Sequence, residues 1–351
     1  MADRKGLVAL AAGAVAAGAG FAAQRAALNR RRRDDPERDE DLGGRRGERS
    51  RMLQLPDGAG IFVEEVGPED SPRGTVFIHG SVLRTDIWHY QMAGLGDHRL
   101  AFSDLRGHGL SQPKGDAAYS LKTLSDDLLA TIDALGLAET VVVGHSVGGM
   151  IALQLCKDRP ELLGSKIKGL VLVNTTYGPV TETLIGSGVI ARFERMTRRP
   201  FDVLGAQHAR IERIRRIVRP SDAIFWGVAL AAFGPDASPK QIDFTYDMLS
   251  ETPAEIIFDL VRSYRDHDMA EFLGDVTVPA LVIGGTHDRL TQPKASRYLA
   301  GHLPKADLHI FERCGHMSML ERHEEFNTLV TEFLNDTLGA PSAKRRRSTK
   351  R

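Results

Sequence analysis

Thr140-Val141-Val142-Val143-Gly144-His145-Ser146-Val147-Gly148-Gly149 joins a β-branched run to a Gly-x-Ser-x-Gly pentapeptide. The run has the composition of a buried strand. The pentapeptide sits where that strand ends and a helix is expected to begin. A hydroxyl on so sharp a turn is lifted clear of the sheet. The flanking positions are then glycine because larger side chains would collide with strand and helix. In a chain with 35 glycines the pattern alone is weak. Its placement, and what lies downstream, give it meaning.

From about Met52 to Leu338 short apolar runs alternate with helical patterns. Ile61–Val66 reads as an edge strand after the turn Pro56-Asp57-Gly58. Thr75–Ile78, Arg99–Asp104, Val141–Val143, Gly169–Asn174 and Pro279–Ile283 read as buried strands, and Leu308–Phe311 as the last strand. Leu121, Leu124, Leu128, Ile132 and Leu135 recur at helical spacing and end at Gly136. Met150–Lys157 continues as helix from the pentapeptide, and a last helix runs from about Glu321 to Leu338. This alternation predicts an α/β fold, a mostly parallel sheet with helices on both faces. In such sheets functional groups collect past the carboxyl ends of the strands.

Tyr177 to about Met269 breaks the alternation and reads as a helical cap inserted between two strands. In it Ile211, Ile214, Ile217 and Val218 form one stripe, flanked by Arg210, Arg213, Arg215, Arg216 and Arg219. That is a lid helix with a solvated basic face, or a surface for anionic lipid or an anionic substrate group. Phe225–Phe233 is apolar but too short to span a membrane.

A serine is a poor nucleophile without an adjacent base, and the base needs an orienting group. Asp288 follows the strand ending at Ile283, within Gly284–Pro293. His316 lies in the Gly-flanked loop after the last strand. The rivals are worse placed: Asp275 precedes its strand, His302 and His323 lie on expected helices, and His309 lies within a strand. Asn174-Thr175-Thr176, at the preceding strand end, offers no acid. Ser146, Asp288 and His316 are therefore the expected catalytic residues. The backbone N–H groups of Val147 and Ser81, the latter in His79-Gly80-Ser81, are the expected oxyanion donors. His79 and His145 read as structural.

Phe77-Ile78-His79-Gly80, Asp104-Leu105-Arg106-Gly107-His108-Gly109-Leu110-Ser111, Gly144–Gly149, Gly284–Pro293 and Gly315-His316 together resemble the α/β-hydrolase family over about residues 52–338. The resemblance implies an eight-stranded sheet, a cap between the sixth and seventh strands, and no metal or organic cofactor. It implies a serine esterase or lipase-like hydrolase acting on a small, hydrophobic ester. Serine at the turn speaks against the haloalkane dehalogenases and epoxide hydrolases, which carry aspartate there. The alternatives are thioester, lactone or carbon–carbon bond hydrolysis, cofactor-free haloperoxidase-like perhydrolysis, and a noncatalytic scaffold.

Composition bounds the rest. Apolar residues make up 42% and charged residues 26%, which suits a globular core. The formal net charge is +0, so nucleic acid is not an expected partner. Cys156 and Cys314 read as two buried thiols, and no Cys/His cluster has zinc spacing. In the first 25 residues, Gly6–Ala23 is an uncharged stretch of 18, nine of them Ala and four Gly. It is expected to anchor the protein in a membrane, with the heavier basic flank, Arg25 and Arg30–Arg33, and the catalytic domain on the cytoplasmic side. The alternatives are a cleaved export signal and a weakly bound arm. Residues 26–51, dominated by Arg, Asp, Glu and Gly, read as an unstructured charged linker. The core is assigned to 52–176 and 271–338, the cap to 177–270. The tail, 339–351, ends with six basic residues in nine and reads as a disordered, solvated end, or as a segment drawn to an anionic membrane surface.

Overall fold

A computed structural model describes residues 26–95, 97–112, 119–178, 222–264 and 267–341 of the chain. Eight strands, β1 (Arg49–Gln54), β2 (Gly60–Val66), β3 (Arg73–Ile78), β4 (Leu100–Ser103), β5 (Glu139–His145), β6 (Ile167–Val173), β7 (Ala280–Gly285) and β8 (Ala306–Phe311), form one sheet. Their order is β1-β2-β4-β3-β5-β6-β7-β8. β1, β2 and β4 pair antiparallel, and every pairing from β4 through β3 to β8 is parallel. The strand carrying the pentapeptide is thus central, between β3 and β6.

Besides a helical segment at residues 26–33, the described α-helices are α1 (His89–Gly94), α2 (Leu121–Ala134), α3 (Val147–Asp158), α4 (Asp222–Ala232), α5 (Pro239–Glu251), α6 (Ala254–Tyr264), α7 (Pro293–His302), α8 (Ser318–Glu321) and α9 (His323–Leu338). Side chains alternate across a strand, so each central strand feeds two cores. Val142, Leu170, Leu172 and Val282 pack with Leu124, Leu128 and Ile132 of α2 and Ile151 and Leu155 of α3. Val141, Val143, Val171, Val173 and Ile283 pack on the other face, with Trp88 and with Phe326, Val330 and Leu334 of α9. Burial on both faces explains why the central strands read as unbroken apolar runs. The described cap helices α4, α5 and α6 lie between β6 and β7 in the chain. The arginine-flanked stripe at 210–219, the anchor segment Gly6–Ala23 and the basic end of the tail lie outside the described residues. No described helix is long and apolar enough to cross a membrane.

Two expectations are corrected. Ile61–Val66 is not the sheet edge: β1 pairs outside it. β1 escaped notice because its sequence, Arg-Ser-Arg-Met-Leu-Gln, is polar and only Leu53 is buried. Arg51 pairs with the buried carboxylate of Glu65 on β2.

Residues 26–51 are not an unstructured linker. Residues 26–33 are helical, and Leu28 is fully buried in the second core. Arg31 donates to the Ala237 carbonyl and lies over the Trp226 ring. Arg32 makes a two-pronged pair with Asp243, at 3.1 and 2.8 Å, and lies over the Phe225 ring. Asp35 accepts from Ser238 Oγ at 2.8 Å and from the Lys240 N–H at 2.9 Å, which satisfies the first turn of α5. Composition suggested disorder because it shows nothing of the partners that Arg31, Arg32 and Asp35 find more than 200 residues away, on the cap.

Leu28→Ala is expected to lower unfolding stability by about 2–5 kcal/mol, the usual range for emptying a buried leucine site. Denaturant titration of the two proteins measures this. An unchanged midpoint would mean that the segment does not pack on the cap.

Candidate active site

β5 delivers Ser146 onto a backbone turn with φ 53° and ψ −119°. A non-glycine residue there is strained and must be held by its surroundings. The Ser146 N–H donates to the Val173 carbonyl at 2.9 Å, and the Thr175 hydroxyl donates to the Ser146 carbonyl at 2.6 Å. Close approach sets the neighbouring residues. A Cβ at Gly148 would stand 2.4 Å from the Ile78 carbonyl oxygen, and one at Gly144 would stand 2.4 Å from the Gly148 oxygen. Val147 opens α3, so its N–H has no intrahelical acceptor.

Asp288 lies in the loop after β7 and His316 in the loop after β8. His316 Nδ1 meets Asp288 Oδ2 at 2.9 Å, and both residues are buried. The same oxygen accepts from Thr291 Oγ1 at 2.8 Å and Asn174 Nδ2 at 2.9 Å. The other oxygen accepts the Leu290 and Thr291 N–H groups, both at 2.9 Å. Burial pushes the Asp288 carboxyl up. The His316 charge and the hydrogen bonds from His316, Asn174 and Thr291 outweigh it and hold the group below its usual value. The ionised carboxylate accepts, so Nδ1 of His316 carries the proton and Nε2 is left as the basic nitrogen.

His145, the residue before Ser146, ties the serine turn to the loop after β8. Its Nε2–H donates to the His316 carbonyl at 2.9 Å, and the two rings lie 4.8 Å apart. Burial, then the nearby His316 charge, pushes His145 down to about 3, so it stays neutral. His79 is likewise neutral. Burial and then His108 drive it well below the usual histidine value. Its Nδ1–H donates to the Gly80 carbonyl at 2.8 Å, and its Nε2 accepts the Leu105 N–H at 2.9 Å. It braces the loop that presents Ser81.

The histidine loop is also bound to the cap. The His316 N–H donates to the Ala232 carbonyl at the end of α4, at 2.7 Å. Glu321 of α8 accepts the Gly315 N–H at 2.9 Å with one oxygen and the Gly234 N–H at 2.8 Å with the other. Burial pushes its carboxyl up to about 7.

Three participants were not read from the sequence. Thr291 was visible as a hydroxyl three residues after Asp288, the spacing of a local side-chain turn. Asn174 was noticed only as a position without an acid. Tyr264 of α6 is pushed up by burial, offset by a hydrogen bond with the Ser81 side chain. No sequence signal relates it to Ser81. Among the described residues, no cluster of three or more metal-ligating side chains occurs.

The family model described as alpha/beta hydrolase fold matches residues 76–323. The AB hydrolase superfamily protein YisY of Bacillus subtilis is 26% identical over 280 residues, 78% of this chain and 95% of the relative. The 2-hydroxy-6-oxononadienedioate/2-hydroxy-6-oxononatrienedioate hydrolase 1 of Dechloromonas aromatica is 26% identical over 280 residues, 74% and 86% of the two chains. An esterase structure from Exiguobacterium antarcticum superposes with a TM-score of 0.65 at 20% identity, covering 82% of this chain and 100% of that one.

Gly148→Ala is expected to destabilise the protein by about 1–3 kcal/mol or more, because the new methyl group meets backbone rather than a movable side chain. Thermal unfolding followed by circular dichroism reads this. A melting temperature equal to the parent's would contradict the close approach of α3 and β3.

Proposed function

Because the chain belongs to the alpha/beta hydrolase fold family, we propose that it is a serine hydrolase that cleaves a carboxylic ester through an acyl-enzyme. The observation that carries the reading is the 2.9 Å bond between His316 Nδ1 and an ionised Asp288. It sets the histidine tautomer that a serine nucleophile needs, and His145, the residue before Ser146, bonds to the His316 carbonyl.

In this reading Ser146 Oγ attacks the ester carbonyl carbon while His316 Nε2 accepts its proton. The carbonyl oxygen takes up the negative charge, and the N–H groups of Val147 and Ser81 receive it. Collapse of the tetrahedral intermediate breaks the bond to the alkoxy oxygen. The imidazolium returns its proton to that oxygen, and the alcohol leaves. His316 then removes a proton from water, which attacks the acyl carbon. A second collapse releases the carboxylic acid and restores the Ser146 hydroxyl. Asp288 stays ionised throughout and stabilises the imidazolium without taking its proton.

The Dechloromonas aromatica relative supports a second reading, hydrolysis of a carbon–carbon bond beside a ketone by the same residues. Turnover of a short p-nitrophenyl ester, set beside turnover of a vinylogous 1,5-diketone acid, separates the two. Ester turnover is expected to dominate. Ser146→Ala and His316→Ala are each expected to lower kcat by about 10⁴-fold or more, and Asp288→Asn by about 10⁴-fold. A fluorophosphonate that labels the parent protein is expected to leave Ser146→Ala unlabelled. Full ester activity in Ser146→Ala would sink the reading.

Membrane attachment through Gly6–Ala23 belongs to the same proposal. Full-length protein is expected to stay with the membrane fraction through a high-salt wash and to leave it when residues 1–25 are removed. Recovery of the full-length protein only in the salt-washed soluble fraction would exclude the anchor.

A further inference from the structure

We infer that Asn174 is a positioning residue, whose side-chain amide holds the Asp288 carboxylate and the His316 loop at a set separation. The inference rests on the serine-hydrolase reading above and adds a residue that meets no substrate.

Asn174 directly follows β6, the strand between those carrying Ser146 and Asp288. It is fully buried, with φ 43°. Asparagine is among the few side chains that tolerate that region. Its own N–H donates to the Ile283 carbonyl at 2.8 Å, which fastens its backbone to the end of β7. Its side chain is then fully used. Nδ2 donates to Asp288 Oδ2 at 2.9 Å and to the Gly315 carbonyl at 3.1 Å, and Oδ1 accepts from the Ser318 hydroxyl.

One nitrogen therefore joins the carboxylate to the residue before His316, so the two loops cannot slide apart without breaking a buried bond. The chemistry demands an amide. An apolar side chain would leave the Gly315 carbonyl and the Ser318 hydroxyl buried and short of a partner. An ionised aspartate would set lone pairs against both the Asp288 carboxylate and the Gly315 carbonyl. The Ser318 bond fixes which end of the amide is nitrogen. The strand end that offers no acid thus carries the group that holds the acid offered by the next strand.

The amide also withdraws charge from Asp288. Without it the Asp288 carboxylate loses one of the donors that hold it below its usual value, and its pairing with His316 strengthens. The other titratable groups around the pair are His145 from β5, whose ring lies 4.8 Å from that of His316, and Cys314 and Glu321 in and beside the histidine loop; His287 and Arg289 flank Asp288 in the chain and bond to Thr286 and to the Leu230 carbonyl. All remain in place in the variants below.

The test is the pH dependence of p-nitrophenyl ester turnover by the full chain carrying Asn174→Ala, Asn174→Asp or Ser318→Ala. Asn174→Ala is expected to lower kcat about ten- to hundredfold with KM nearly unchanged, a common cost of losing a partner that orients a reacting group. The acidic limb of the kcat/KM profile is expected to move up by about half a pH unit or more. Asn174→Asp is expected to move the limb as well, because two carboxylates that close hold a proton between them and disturb the pairing of Asp288 with His316. Ser318→Ala is expected to produce a smaller shift in the same direction, and it carries the test where substitution at 174 prevents folding. Variants that fold, as judged by circular dichroism and melting, but keep the parent limb would overturn the inference, whether or not kcat falls. The Ser146→Ala protein separates the two levels. Its retained turnover would sink the serine-hydrolase reading, whereas its lost turnover with unmoved limbs would sink this inference alone.

Discussion

A strand and a helix meet at Ser146 with less than a methyl group of clearance. Glycine at 144 and 148 lets α3 pass within reach of the ends of β3 and β5. That contact holds the serine backbone at φ 53°, a conformation it would not keep alone. The arrangement of the site follows from it. β5 must be central so that loops from β3 on one side and from β6, β7 and β8 on the other reach the same end of the sheet. Parallel pairing from β4 to β8 puts those loops on the serine's side, and helices on both faces bury the strands that carry them.

The second constraint is electrostatic. A carboxylate at the end of β7 is buried, and an uncompensated charge there would be very costly. Asp288 is satisfied by five donors drawn from its own loop, from the end of β6 and from His316. The donors do more than offset burial. They leave the carboxylate ionised, which sets the proton on Nδ1 of His316 and frees Nε2. Neutral His79 and His145 solve a related problem. Each is a buried imidazole bonded through the tautomer that its surroundings require, so each braces a loop without carrying charge.

The cap, the histidine loop and the N-terminal segment form one mechanical chain. Residues 31–35 grip α4 and α5. The end of α4 bonds to His316, and Glu321 spans Gly234 and Gly315. The strained strand end and the cap therefore meet at His316. A segment that composition treats as solvent-exposed charge is structurally continuous with the site.

The identity of the central elements lay in local pattern. The β-branched run, the pentapeptide and the helical spacing of Leu121 to Ile132 depend on residues close in the chain. They determined an α/β sheet and proposed Ser146, Asp288 and His316 as a site, of which the structure joins Asp288 and His316 by a hydrogen bond. Glycine-flanked loops at strand ends can be read the same way. What tertiary structure decided depends on partners far apart in sequence. Asn174 lies 114 residues from Asp288, and Arg32 lies 211 from Asp243. A polar residue shows nothing locally of whether it will meet solvent or a buried partner. The desolvation that makes such a pairing necessary exists only once the chain has closed around it. Arg49–Gln54 is the same case at the sheet edge: a polar strand is recognisable as a strand only through the neighbour it pairs with.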